Sequence, residues 1–262
     1  MLGLGYLAAV LMGGVLGLIG GGGSILTVPI LVYLMSVSPV EATAYSLFVV
    51  GTASLIGSVD YIRRDLVRFK VGLVFSVPAF VGVYGMRRFV LPAIPDTIRM
   101  TSFEVSKDGL ILTAFSVMMV LASYFMIRGR KNQNADQNIK LNIPLIGLEG
   151  FVVGSISGFV GAGGGFLIIP SLVLLAGLEM KAAVGTSLMI IAVNSLIGFI
   201  GDLQVMESIQ WAMLLRFVVC AVVGIFVGIG LSRRVPGAKL KPLFGWFVLV
   251  VGSAIFLQQM FA

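Results

Sequence analysis

The sequence has no histidine, one cysteine and few charges: only 11% of its 262 residues are Asp, Glu, Lys or Arg. Without histidine there is no imidazole base, no His-ligated metal centre and no His proton relay. Cys220 alone cannot form an intramolecular disulfide. It lies in the apolar run 217–229 and reads as a small packed hydrophobe. No stretch matches Gly-x-x-x-x-Gly-Lys-[Ser/Thr], which argues against direct use of ATP. His-Glu-x-x-His and a clustered carboxylate pair are missing too, so enzyme activity is not expected, and no metal or cofactor is called for. The first residues, Met1 to Tyr6, carry no basic charge, so a cleaved signal peptide is not expected.

What replaces the charges is apolar: 58% of residues are hydrophobic, and mean hydropathy is +1.09. A soluble domain of this length cannot hide that much apolar surface. The solvent for much of the chain is therefore lipid, and length is counted in crossings of ~20 apolar residues. The net charge of +7 does not point to nucleic acid, because no soluble domain presents a basic stretch. Cytoplasmic loops of membrane proteins collect Lys and Arg instead. The expected partners are membrane lipid and a small anionic substrate, and not nucleic acid; oligomeric state is not legible.

Ten hydrophobic segments follow one another, at 2–20, 24–36, 39–59, 71–90 and 109–127, then 143–161, 166–178, 182–201, 209–231 and 240–261. The polar run from Arg128 to Asn138 separates the two sets and has the composition of an aqueous linker. Three regions result: a first transmembrane repeat (1–127), a polar cytoplasmic linker (128–142) and a second repeat (143–262). A gap-free shift of 141 residues aligns Gly13–Gly57 with Gly154–Gly198, and 17 of the 45 positions are identical. The matches include Gly17/Gly158, Gly20/Gly161, Pro29/Pro170, Ser46/Ser187 and the run Ser54–Gly57 with Ser195–Gly198. Duplication explains a Gly-rich block with a proline at fixed distance; apolar bias does not.

Five segments per repeat is an odd number, so the second copy enters the membrane upside down. The expected fold is an all-α integral membrane protein of two inverted five-segment repeats, with Gly-rich breaks and short or re-entrant helices. Alternating sides assign thirteen basic residues to one face, from Arg63 to Lys70, Arg128 to Lys140, Lys181, and Arg233 to Lys241. The other face receives four, Arg87, Arg88, Arg99 and Lys107, all from one loop. The richer face is expected to be cytoplasmic, with both termini outside.

The most informative feature is Gly20-Gly21-Gly22-Gly23-Ser24 and its partner Gly161-Ala162-Gly163-Gly164-Gly165. Each precedes an apolar segment of 13 residues, about 20 Å as a helix, against a hydrocarbon core of about 30 Å. Pro29 and Pro170 suit the first turn of a helix, which would leave each glycine stretch extended. Free amides there cannot face lipid. With the positive end of the following helix they form an anion site that needs no charged side chain. Isolated glycines such as Gly51, Gly82 and Gly224 read as helix-packing positions.

The two glycine blocks with their prolines, 17–29 and 158–170, together with the stretches 42–46 and 182–187, resemble the signature of the sulfite exporter TauE/SafE family. That resemblance implies a prokaryotic cytoplasmic-membrane permease for sulfite, an organosulfonate such as taurine or sulfoacetate, or a related anion, usually in the direction of export.

Other polar residues inside apolar segments fill out the candidate site. Ser46, Ser187 and Asn194, ranked above Tyr45, Thr52, Ser54, Thr186 and Ser195, could donate hydrogen bonds to anion oxygens. Glu149 and Arg216 are charges set inside apolar segments, candidates for coupling or for pairing with each other. Asp60 and Asp202 read as solvated segment ends, and Trp211 and Trp246 as interfacial anchors. The expected function is secondary transport of a small sulfur-containing anion, driven by a proton or ion gradient, with alternating access around a midplane site. An anion channel and a membrane subunit without transport activity are the alternatives.

Overall fold

A computed structural model describes residues 2–95, 97–100, 103–128, 143–160, 165–174, 177–203, 206, 209–232 and 237–261. Of the sequence expectations, linker residues 129–142 and Gly161, Ala162, Gly163 and Gly164 lie outside the described residues.

Among the described residues, ten helical segments occupy the ten apolar stretches. They are α1 (Leu2–Ile19), α2 (21–34), α3 (Pro39–Arg63), α4 (Phe69–Ala93) and α5 (Lys107–Ile127), then α6 (Ile143–Val160), α7 (Gly165–Leu174), α8 (Met180–Leu203), α9 (Trp211–Ser232) and α10 (Gly237–Phe261). An antiparallel ribbon between α4 and α5 pairs β1 (Thr97–Met100) with β2 (Phe103–Ser106). Local chemistry marks the starts. Ser38 caps α3, accepting from the Glu41 amide (3.4 Å) and donating to the Glu41 carboxylate (3.0 Å), with Pro39 in the first turn. Ser106 accepts from the Gly109 amide at 3.1 Å to start α5.

Five of these helices are long and apolar enough to cross a membrane: α3, α4, α6, α8 and α9. Large apolar side chains such as Leu73, Val77, Val219 and Val250 point outward, as a lipid-facing surface requires. The protein is a multi-pass membrane protein. Its axis is α3 with α8: 72% of each span is buried, against 39–44% in α4, α6 and α9.

Packing follows the duplication. Helix α1 packs on α9, and its counterpart α6 packs on α4; α4 also packs on α8, as α9 does on α3. Each remaining helix meets its own counterpart: α2 meets α7, α3 meets α8, and α5 meets α10. The halves are therefore interleaved, with every helix packed on a helix of the other half.

Contacts along the helices give their directions. Tyr61 packs at Gly185, Gly51 at Leu196, and Leu47 at Gly198, so α3 and α8 run antiparallel. Counterparts that run antiparallel are related by a two-fold axis across the bundle, which is the inverted arrangement. Helix α2 folds back along α1: Gly23 abuts Leu16, and Met35 just beyond α2 abuts Gly5. The two form a hairpin with Gly20 at its tip. Gly109 at the start of α5 lies by Gln259 near the end of α10. Tracing the directions helix by helix puts the start of α1 and the end of α10 at one face, here the terminal face.

Close helix approach depends on missing side chains. A Cβ on Gly13 would lie 2.0 Å from the Ala221 carbonyl oxygen, and one on Gly154 would lie 2.2 Å from that of Ala79. Gly82 and Gly224 fit the same role, at 2.6 Å from the Phe151 oxygen and 2.0 Å from the Val10 oxygen; Gly51 meets Leu196 at 2.9 Å. Gly13→Val should destabilise the α1–α9 contact by about 1–3 kcal/mol or block folding, seen as a lower Tm and less monodisperse protein in detergent. Gly3→Ala and Gly230→Ala, which meet nothing within 4 Å, should leave the Tm unchanged.

Candidate functional site

The glycine block of the first repeat is coiled, not extended. Gly21–Leu26 forms a 3-10 helix, Thr27–Pro29 an α-turn and Ile30–Leu34 a π-helical turn, so Pro29 sits within a continuous helical path. The tighter 3-10 winding suits a run without side chains, and the break is confined to Gly20, at φ 79° and ψ −138°. Gly20 donates its amide to the Leu16 carbonyl and accepts at 3.4 Å from Gly23. Gly21 and Gly22, at the start of the coil, are the amides such a helix leaves without an internal acceptor.

Two starts meet here. Gly21 and Gly165 touch backbone to backbone: a Cβ on Gly21 would lie 2.1 Å from the Gly165 Cα, and one on Gly165 would lie 2.2 Å from the Gly21 Cα. The positive ends of α2 and α7 thus come together where a side chain on either would separate them. Gly20 also lies against the second half, 3.1 Å in Cβ position from the Ser187 hydroxyl. The fold unites Gly20, Gly21, Gly165 and Ser187 at one junction. The described part of α7, Gly165–Leu174, covers about 15 Å of the core.

The polar side chains sort into two groups. Ser24 donates to the Gly21 carbonyl (2.7 Å) and Ser187 to the Val184 carbonyl (2.8 Å). Tyr45 accepts from the Gln210 amide (3.0 Å) and its counterpart Thr186 from the Arg68 amide (2.9 Å), each tethering a loop of the other repeat. In contrast, Thr27, Ser46, Ser54, Asn194 and Ser195 are buried, with side-chain oxygens that find no partner among the described residues. Asn194, Ser195 and Ser54 all fall within a turn of the Gly51–Leu196 contact, where α3 crosses α8. Asn194 is seven residues beyond Ser187, on the same face of α8.

Glu149 and Arg216 are not brought together as an ion pair. Glu149 is half-buried on α6 beside Ser171 of α7, whereas Arg216 is exposed on α9, about a turn from its start. Arg216 can reach the interface by snorkelling.

Sequence reasoning placed Arg87 in a loop and Asp202 in solvent, and both are buried. Arg87 is 1% exposed and Asp202 6%. The Arg87 Nη1 lies 3.2 Å from Asp202 Oδ2 and donates to Thr43 Oγ1 at 3.0 Å. The available signal was that the apolar run continues past the arginine pair through Phe89-Val90-Leu91, so Arg87 never leaves its helix.

Comparison with known proteins agrees with this architecture. The family model described as "Sulfite exporter TauE/SafE" matches residues 5–255. The chain belongs to this family. A "Probable membrane transporter protein" of Xylella fastidiosa (strain 9a5c) is 27% identical over 248 residues, covering 92% of this chain and 89% of that one. "Probable membrane transporter protein YunE" of Bacillus subtilis is 26% identical over 266 residues, covering 94% and 93%. "Probable membrane transporter protein MJ0441" of Methanocaldococcus jannaschii is 33% identical over 125 residues, 45% and 46% of the two chains. No solved structure matches the chain significantly. Family and relatives make this a membrane transporter and not an enzyme.

The junction generates a steric test. Gly21→Val should force α2 and α7 apart and reduce substrate binding at least tenfold in protein that still elutes as a folded species. Binding unchanged from wild type would remove the junction from the site.

Proposed function

We propose that this transporter carries a small sulfur-containing anion, such as sulfite or an organosulfonate, by alternating access around the paired glycine breaks. The observation that carries the reading is the Gly21–Gly165 contact, which joins the starts of α2 and α7 near the axis relating the two halves. Converging helix starts offer amide donors and partial positive charge without a basic side chain, which suits an anion that must be released again. The unmatched oxygens of Ser46 and Asn194, with Ser187 at the junction, supply polar groups along the α3–α8 core. Interleaved inverted halves provide two alternative packings, one open to each face.

Removing buried Arg87 from the loop count changes the charge contrast from thirteen against four to thirteen against three (4 − 1). This supports placing the terminal face outside a prokaryotic cytoplasmic membrane and the linker inside. Export is the direction favoured by the family name. A gradient of protons or another ion would supply the driving force.

Counterflow in proteoliposomes, with sulfite, sulfate, thiosulfate, taurine and sulfoacetate, tests this reading. Saturable exchange of at least one of these anions is expected. Flux rising linearly with concentration would identify a channel instead, and no movement of any of the five would end the anion reading.

A further inference from the structure

We propose that Arg87 forms an oxyanion-binding subsite at the terminal-face mouth of the bundle, holding a sulfonate, sulfite-like or carboxylate group on the Nε–Nη2 edge of its guanidinium. Asp202 and Thr43 engage Nη1 alone. Nε and Nη2 are buried and have no partner among the described residues. These two nitrogens form one side of the planar group and donate in parallel, the geometry that matches two oxygens of one anion. Buried charged donors left unmatched are costly, so this edge calls for an occupant.

Arg87 lines a cavity of about 80 Å³, with Ala44, Leu91 and Met206 on its apolar walls. At about 15 Å³ per water position, the space suits a group of four or five heavy atoms. Glu41 and Lys107 also line it, so with Asp202 and Arg87 the side-chain charges cancel. Glu41 is held by Ser38 at the start of α3, and neither carboxylate takes up the Nε–Nη2 edge.

Thr43 and Ala44 lie less than one turn from Ser46 on α3, which sets the subsite beside the proposed path. That placement rests on the transport reading; the binding itself does not. The opposite mouth is built differently: there Arg64 pairs with Asp60 one turn away on α3, both partly exposed, and not with a residue of the other half. Gly13 abuts Ala221 as Gly154 abuts Ala79, so Arg87, eight residues past Ala79, corresponds to Ile229. The 141-residue shift puts Tyr61 in the place of Asp202, and its hydroxyl donates to the Gly17 carbonyl at 3.4 Å. Among the described residues, a buried arginine paired across the two halves therefore stands at one face of the membrane only.

Calorimetric titration of the purified full-length protein in detergent, with sulfate and sulfoacetate as probes, tests the assignment. Wild type should bind saturably. Arg87→Lys keeps the charge but loses the two-donor edge, and should weaken binding about tenfold. Arg87→Met with Asp202→Asn removes the pair as a unit, leaving no lone buried charge, and should delete one site from the isotherm. Ala44→Leu fills the cavity without touching the pair and should do the same. Wild-type affinity in folded Arg87→Met/Asp202→Asn or Ala44→Leu protein would overturn the proposal, as would a wild type that binds neither probe. Wild type that binds these anions but does not carry them in proteoliposomes would sink the transport reading and leave the subsite standing. Carriage and binding unimpaired in the double variant would sink the subsite alone.

Discussion

The backbone contact between Gly21 and Gly165 sets how the two halves can be joined. A side chain on either residue would occupy the other's backbone, so α2 and α7 converge only because both positions lack one. Their convergence brings Gly20 against Ser187 and lets α3 and α8 cross antiparallel beside the junction. In lipid there is no hydrophobic force pulling helices together, and close backbone approach supplies the dispersion contacts that replace it. The same device recurs at Gly13, Gly154, Gly224 and Gly82, which seat α1 on α9 and α6 on α4. One physical constraint thus explains both the interleaving of the repeats and the place where two helix starts face each other.

A bundle of this kind has little tolerance for idle polar groups, since a buried donor or acceptor without a partner costs free energy. Most comply through local bonds: Ser24 and Ser187 return to carbonyls one turn back, and Tyr45 and Thr186 clamp loops of the opposite repeat. Those that do not are concentrated along α2, α3 and α8 and at Arg87. The unmatched hydroxyls among them are donors that the protein itself has not used, as the proposed anion pathway requires. Arg87 with Asp202 differs from the rest in carrying charge. A lone arginine at that depth would be prohibitive, so Asp202 compensates one side of the guanidinium and leaves the other available.

Much of this was legible beforehand, for reasons that can be stated. Ten apolar stretches became ten helical segments because bilayer thickness and backbone satisfaction leave few other choices. The 141-residue shift anticipated the reciprocal packing, since homologous helices bury homologous faces. The glycine blocks pointed to a junction through their repetition. The state of that junction was less visible. Proline preference suggested an extended stretch, yet Gly21–Leu26 winds into a 3-10 helix that buries Ser24 and returns its hydroxyl to Gly21. Arg87 and Asp202 were misread because each was judged by its neighbours in sequence, while each is neutralised by the other across 115 residues.

By itself the sequence determined that the chain lives in lipid, that it is a duplicated and inverted array of ten segments, and that glycine-rich blocks recur at Gly20–Ser24 and Gly161–Gly165. Composition, length and internal repetition are properties of the linear chain, and the bilayer translates them directly into helices. Only the tertiary structure decided that Gly21 meets Gly165, that Tyr45 and Thr186 are tethers, and that Arg87 is buried against Asp202 with one edge to spare. Those facts depend on which faces of distant helices come together. Along the chain, a charge at a helix end looks the same whether water or another helix neutralises it.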